Sequence, residues 1–151
     1  MKRLLLVEDY EEKARDILTF IEAKFPGVFL VERSSSYNGA QEQIFEHPDV
    51  YDLILLDMAM STYDLSKDNS GGPPESTAGQ DILEGMFLRG IETPVIVVTM
   101  YNVFGRKELD AFHQELKDLY PQNYKSYVFY SAQRKDWMRD LYDQIKQTLS
   151  L

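Results

Sequence analysis

Leu53-Ile54-Leu55-Leu56-Asp57 runs through four apolar residues without interruption and stops at a carboxylate. A continuous apolar run of this length suits a strand buried on both faces, the kind found in the middle of a parallel sheet. Open α/β sheets place their ligand crevice beyond the carboxyl ends of their strands. Asp57 therefore stands where a reactive group is expected. Many strands end in an Asp merely because a loop begins there, so the weight rests on what other segments bring to the same edge.

Two segments share the pattern. Lys2 to Val7 carries Leu4-Leu5-Leu6-Val7 and ends in Glu8-Asp9, and Pro94 to Val98 is a buried run that ends in Thr99. Between and beyond them the period changes. From Glu11 to Lys24, Ala14, Ile17, Leu18 and Ile21 fall at helical spacing, with acids early in the helix and Pro26-Gly27 breaking it. Val28 to Val31 reads as a strand. Ser34-Ser35-Ser36 offers N-cap residues for a helix running through Gln41 to Glu46, with Ala40 and Ile44 inward and His47-Pro48 ending it. A helix over Gln80 to Arg89 stops at Gly90. Lys107 to Leu119 sets Leu109, Phe112, Leu116 and Leu119 on one face, and Pro121 terminates it. Tyr127 to Tyr130 is a short β-rich segment, and Trp137, Leu141, Ile145 and Leu149 mark a final helix.

Five strand–helix units in alternation imply an α/β fold with a parallel sheet and helices on both faces, and right-handed crossovers leave few topologies. Met58 to Ala78 departs from the alternation. It holds Ser70-Gly71-Gly72-Pro73-Pro74 among other turn-forming residues, which is loop chemistry sustained for longer than a compact domain ordinarily tolerates. Such a loop is expected to be mobile and to lie over the crevice edge, since its ends flank Asp57 and the next helix.

Bulk properties narrow the function. A length of 151 residues fits one domain with a full core. The net charge of −9 argues against a surface for nucleic acid, which needs a basic footprint. No apolar run approaches the roughly 20 residues of a membrane span. Met1-Lys2-Arg3 followed by Leu4 to Val7 lacks the length and cleavage site of a signal peptide, so the expected location is the cytoplasm. The absence of cysteine rules out disulfides and thiolate metal sites.

In a parallel sheet every strand ends on the same side, so Glu8, Asp9 and Asp57 converge if the first and third strands are neighbours. Three adjacent carboxylates repel, or one takes up a proton. A divalent cation removes the conflict, and oxygen-only ligands suit Mg²⁺, which commonly keeps phosphate oxygens among its ligands. An Asp at such a site is a competent nucleophile toward a phosphoryl group. Thr99 would point its hydroxyl into the same crevice and donate to a phosphoryl oxygen. Taken alone, Glu8-Asp9 does no more than open a loop, and Thr99 is an ordinary strand-end residue. The conjunction of all three strand ends is what carries the reading.

With these pieces in place the sequence resembles a two-component response-regulator receiver domain. The match lies in Leu5-Leu6-Val7-Glu8-Asp9, Asp52-Leu53-Ile54-Leu55-Leu56-Asp57, Pro94-Val95-Ile96-Val97-Val98-Thr99 and Tyr127-Val128, in the family's order and across essentially the whole chain. The resemblance implies a flavodoxin-like, doubly wound five-stranded sheet of order 2-1-3-4-5. It implies Asp57 as phosphoacceptor, Asp9 as direct Mg²⁺ ligand, Glu8 as a ligand through water and Ala59 as the source of a backbone carbonyl. It also implies Thr99 as switch hydroxyl and Tyr127 as switch aromatic. One domain over residues 1–151 is expected, with an extended loop at 58–79 and no output domain.

Two positions depart from the family's pattern. The family has a Lys three residues after its switch aromatic, followed by Pro, where this chain has Tyr130-Ser131. Arg134 and Lys135 are near in sequence but fall where the last helix should begin. The long insertion also stands where the family has Pro and then an Asp-Gly pair, leaving Gly79 as the equivalent glycine.

The leading expectation is a stand-alone receiver taking a phosphoryl group from a histidine kinase or phosphotransfer protein, and signalling through a protein partner on the last helix–strand–helix face. Such a protein is a phosphoacceptor rather than a turnover enzyme. The alternative is a pseudo-receiver, an interaction module independent of phosphorylation, which Tyr130 favours. A small phosphohydrolase is a third reading, weakened because Ala59 stands where that chemistry wants a second Asp. The aromatic residues of the last third, Tyr120, Tyr124, Tyr127, Tyr130 and Trp137, serve either as core or as a partner surface. His47 and His113 read as surface or boundary residues.

Overall fold

The computed structural model describes residues 1–58, 60–61, 74–75, 78–100 and 105–151. In chain order the elements are β1 (Lys2–Val7), α1 (Glu11–Lys24), β2 (Phe29–Ser34), α2 (Tyr37–Glu46), β3 (Leu53–Leu56), β4 (Met60–Ser61), β5 (Pro74–Glu75), α3 (Ala78–Leu88), β6 (Val95–Thr99), α4 (Gly105–Leu119), β7 (Tyr124–Phe129) and α5 (Asp136–Leu149). The main sheet is parallel, in the order β2-β1-β3-β6-β7. Counting its own strands alone, this is the expected 2-1-3-4-5.

The apolar runs are explained by burial on both sides. Leu4, Leu6, Leu53, Leu55, Ile96 and Val98 face α1 and α5, where they meet Ala14, Ile17, Phe20, Trp137, Leu141 and Ile145. Leu5, Val7, Ile54, Leu56, Val95 and Val97 face the other way, onto Ala40 and Ile44 of α2, Ile82, Leu83 and Met86 of α3, and Leu116 of α4. Successive strand residues point to opposite faces, so a strand covered on both has no polar alternation to show.

Local chemistry ends the elements as expected. Ser36 caps α2, its side chain accepting from the Gly39 N–H at 3.0 Å. Gly90 follows α3 with φ +69°, a left-handed conformation that costs a glycine little. Some boundaries differ. The second strand runs to Ser34, through Glu32 and Arg33, because an edge strand is free to carry polar residues. The last strand starts at Tyr124 rather than Tyr127. Its register against β6 slips between Val95 and Ile96, which pair with Tyr124 and Ser126, leaving Lys125 as an extra residue. This bulge shifts the phase of the strand. Tyr124 and Tyr127 consequently lie on the α4 face, while Val128 and Tyr130 lie on the α1–α5 face.

The stretch read as one long loop includes two short strands. Met60–Ser61 pairs antiparallel with Pro74–Glu75, so Pro74, expected in irregular chain, sits in a strand. The expected mobility and position of the rest of that loop lie outside the described residues, and so does Ala59.

Candidate functional site

Three backbone hydrogen bonds line up the carboxyl ends of the strands. The Glu8 N–H donates to Ser34 O at 2.9 Å, the Asp57 N–H to Val7 O at 3.0 Å and the Tyr130 N–H to Thr99 O at 2.9 Å. Each extends the parallel ladder by one residue and sets the next side chain at the same edge. Glu8, Asp9 and Asp57 do converge: each offers a carboxylate oxygen, and these lie within 4.8 Å of one another. Thr99 is buried at the end of β6, on the same edge of the sheet.

A residue that the sequence reading passed over occupies the middle of this group. Lys13 of α1 is fully buried. Its Nζ lies 2.5 Å from Glu8 Oε1 and 3.3 Å from Asp57 Oδ1, and it donates to Val98 O at 2.6 Å. Asp57 Oδ1 also accepts the Met58 N–H at 2.9 Å, and Glu8 Oε2 accepts the Tyr10 N–H at 3.2 Å. The signal for Lys13 was present in sequence. It stands four residues before Ile17 and next to Ala14, on the stripe that faces the sheet.

Burial sets the electrostatics. Removal from water raises the Glu8 pKa, and the Asp57 charge pushes the same way while Lys13 pulls it down. Burial also raises Asp57, against the opposing pull of Lys13. Without the ammonium both carboxylates would hold their protons more tightly still. The donor set is all oxygen, which fits a hard divalent cation. Lys13 contacts one oxygen each of Glu8 and Asp57, and Asp9 completes the carboxylate set.

Tyr130, where the resembled family has its lysine, is buried, and its hydroxyl donates to Asp16 Oδ2 on α1 at 2.6 Å. Its ring lies 5.9 Å from Lys13 Nζ and 5.1 Å from the Trp137 ring. Arg134 and Lys135 are exposed and precede α5, which begins at Asp136. Tyr127 pairs with Val97 and is half-buried, its ring centroid 4.6 Å from that of His113. His113 is also half-buried, and its Nδ1 lies 2.5 Å from the Tyr124 hydroxyl. His47 is exposed.

Gly79 packs directly behind Asp57. A Cβ there would lie 2.8 Å from Met58 Cα and 2.9 Å from Asp57 O, and the Gly79 N–H donates to Met58 O at 3.1 Å. Only a residue without a side chain lets α3 approach the backbone beside Asp57 this closely.

No helix among the described residues is long and apolar enough to cross a membrane. No family model matches the sequence. The chain is 35% identical over 150 residues to the Detocs response regulatory protein DtcB of Enterobacter cloacae, covering 96% of this chain and 99% of that one. In fold it is similar to the crystal structure of a response regulator receiver domain protein from Clostridium thermocellum. The TM-score is 0.66 at 18% identity, covering 99% of this chain and 95% of that one. It is similar also to the Mn²⁺-bound form of response regulator Rcp1, with a TM-score of 0.63 at 19% identity, covering 97% and 93% of the two chains. Sheet order, strand-end carboxylates and a relative matched over nearly its full length agree: the chain belongs to the response regulator receiver family, whose fold serves phosphorelay signalling.

Proposed function

We propose that this protein accepts a phosphoryl group on Asp57, with Mg²⁺, from the phosphohistidine of a histidine kinase or phosphotransfer protein. The observation that carries the reading is the convergence of Glu8, Asp9 and Asp57 within 4.8 Å at the carboxyl edge of the sheet. With every group ionised, three carboxylates and the Lys13 ammonium leave two negative charges, which one divalent cation balances. Asp9, Asp57 and Glu8 would hold the ion, which would screen the negative charge between nucleophile and incoming phosphoryl group. The backbone carbonyl of Ala59 is proposed as a further ligand on the family likeness alone.

In the transfer, a lone pair of the Asp57 carboxylate forms the new O–P bond. The P–N bond to the donor imidazole breaks, and the imidazole leaves carrying a proton. Thr99 would donate its hydroxyl to a phosphoryl oxygen, and Tyr127 would respond on the α4 face. The output would be a protein contact on the α4–β7–α5 surface, from one receiver domain working in the cytoplasm.

The test is incubation with acetyl phosphate and Mg²⁺ followed by intact mass. One added phosphoryl group is expected in the wild type and none in Asp57→Asn. Asp9→Asn should weaken Mg²⁺ binding strongly in calorimetry, and equal affinity in the two proteins would sink the metal assignment.

A pseudo-receiver is the second reading, favoured by one contact. The Lys13 ammonium already neutralises part of the carboxylate group without any phosphoryl group present. A wild type that takes no phosphoryl group yet still binds its partner would establish this reading instead.

A further inference from the structure

We infer that Lys13 of α1 supplies the phosphoryl-binding ammonium that position 130 lacks, so that the anchoring cation enters the crevice from the helix rather than from the end of β7. The inference rests on the proposed phosphorylation of Asp57 and names the residue that would hold the product.

Three observations converge on it. First, a lysine on the sheet-facing stripe of a helix, fully buried among Ala14, Ile17 and Ile21, demands a reason. Taking an ammonium out of water costs several kcal/mol, and a well-packed apolar side chain commonly serves stability as well or better. Second, its Nζ is aimed at the reacting edge, bonded to the phosphoacceptor, to Glu8 and to the carbonyl of Val98, the residue before Thr99. A phosphoryl group added to Asp57 would present anionic oxygens within reach of that ammonium, which keeps its donors and exchanges one carboxylate oxygen for a more strongly charged partner.

Third, Tyr130 supports Lys13 rather than the carboxylates of the crevice. Tyr130 does not reach toward the carboxylates. Its ring lies against Lys13, at the distance of a cation–π contact. Its hydroxyl donates to Asp16, one turn along α1 from Lys13. The aromatic residue thus braces the helix that carries the cation. Lys125, Arg134 and Lys135, the nearest cations in sequence to the vacated position, are exposed. Lys13 neither gives nor takes a proton in this role: with acetyl phosphate as donor, the Asp57 carboxylate forms the new O–P bond, the P–O bond to the acetyl group breaks, and acetate leaves.

The experiment uses the lack of cysteine in the chain. Lys13→Cys carries a single thiol, which 2-bromoethylamine alkylates in denaturant to give, after refolding, a side chain of lysine length ending in an ammonium. Wild type, Lys13→Cys and its alkylated form are incubated with acetyl phosphate and Mg²⁺, and the rate of phosphoryl uptake is followed by intact mass. Mg²⁺ affinity is measured separately by calorimetry, and thermal melts confirm that each protein is folded. Lys13→Cys should be phosphorylated about tenfold more slowly or worse, the loss of one charge-assisted bond. It should bind Mg²⁺ at least as tightly as wild type, and alkylation should return most of the rate.

Uptake by Lys13→Cys within about twofold of wild type would overturn the inference. So would a variant that loses Mg²⁺ binding along with uptake, because Lys13 would then only hold the carboxylates in position. A variant that fails to refold before alkylation and folds after it would also count against the inference, as the mark of a structural ion pair. A wild type that takes no phosphoryl group removes the proposed function and this inference together. Normal uptake by the wild type and by Lys13→Cys removes the inference alone.

Discussion

Tyr127 and Tyr130 lie close together at the end of β7, yet they meet opposite walls of the crevice. Tyr130 is fully enclosed on the α1–α5 side, tied to Asp16 and packed against Trp137 and the Lys13 ammonium. Tyr127 is half-buried on the α4 side, its ring against that of His113. Trp137 in turn lies 5.6 Å from Phe20, so the first wall is a continuous run of tilted ring contacts backing a buried charge. The second is an aromatic surface with one side toward solvent. The contrast separates two tasks that a receiver must perform, holding charge still and letting a surface respond. Close packing fixes the first wall, whereas partial burial leaves the second free to repack when a ligand favours one arrangement over another.

The comparison is broken most severely at Trp137. Trp137→Ala should lose about 3–5 kcal/mol of folding stability, measured by urea denaturation, because it empties the space behind Tyr130. A loss under about 1 kcal/mol would mean that the α1–α5 wall is not the rigid one. Next in size is the coupling between the walls. Partner affinity should change by no more than about tenfold, or 1.4 kcal/mol, on phosphorylation of Asp57, and basal binding should survive Asp57→Ala. A hundredfold dependence in titrations with and without a phosphoryl mimic would show that the two walls are strongly coupled, and the pseudo-receiver reading would fall.

Tyr130→Phe keeps the ring and removes the bond to Asp16, for an expected cost of about 1 kcal/mol in the same denaturation assay. Its phosphorylation rate should follow wild type if the hydroxyl only braces α1. A site on neither wall supplies the baseline. Glu32 on β2 is held below the usual carboxylate range by the Tyr51 hydroxyl, 2.5 Å away, and by Arg3. A depressed folded pKa stabilises the protein above the ordinary Glu pKa, and the benefit fades as pH falls through the lower folded value. Glu32→Gln should therefore cost under about 1 kcal/mol at neutral pH, and nothing once the pH lies below that value. Melts recorded at both pH values check the sign.

What the sequence revealed follows from burial. Strands covered on both faces advertise themselves as apolar runs, so β1, β3 and β6, with the carboxylates and the hydroxyl at their ends, were legible at once. The edge strand β2 was cut short because Glu32 and Arg33 do not look like core, and the start of β7 was lost because Lys125 and Ser126 interrupt the pattern at the bulge. Lys13 was missed for a different reason. Lysine is almost never fully buried unless paired, and its partners lie on strands that a helical wheel cannot see. Periodicity reports which face a residue is on; it does not report what waits there.

The bulge at Lys125 has a consequence for how this chain tolerates changes in length. Pleated strands keep count in twos, and one surplus residue is an odd step that reverses the facing of everything on one side of it. Tyr124 and Tyr127 share a face only because the interval between them contains that step. An insertion or deletion at the exposed turn residues Pro121 and Gln122 can be absorbed as slack. Removing Lys125 would restore regular pairing and leave Tyr124 and Tyr127 two residues apart, still opposite Val95 and Val97 and still both toward α4, so inside the strand the surplus residue is the one whose loss turns neither tyrosine.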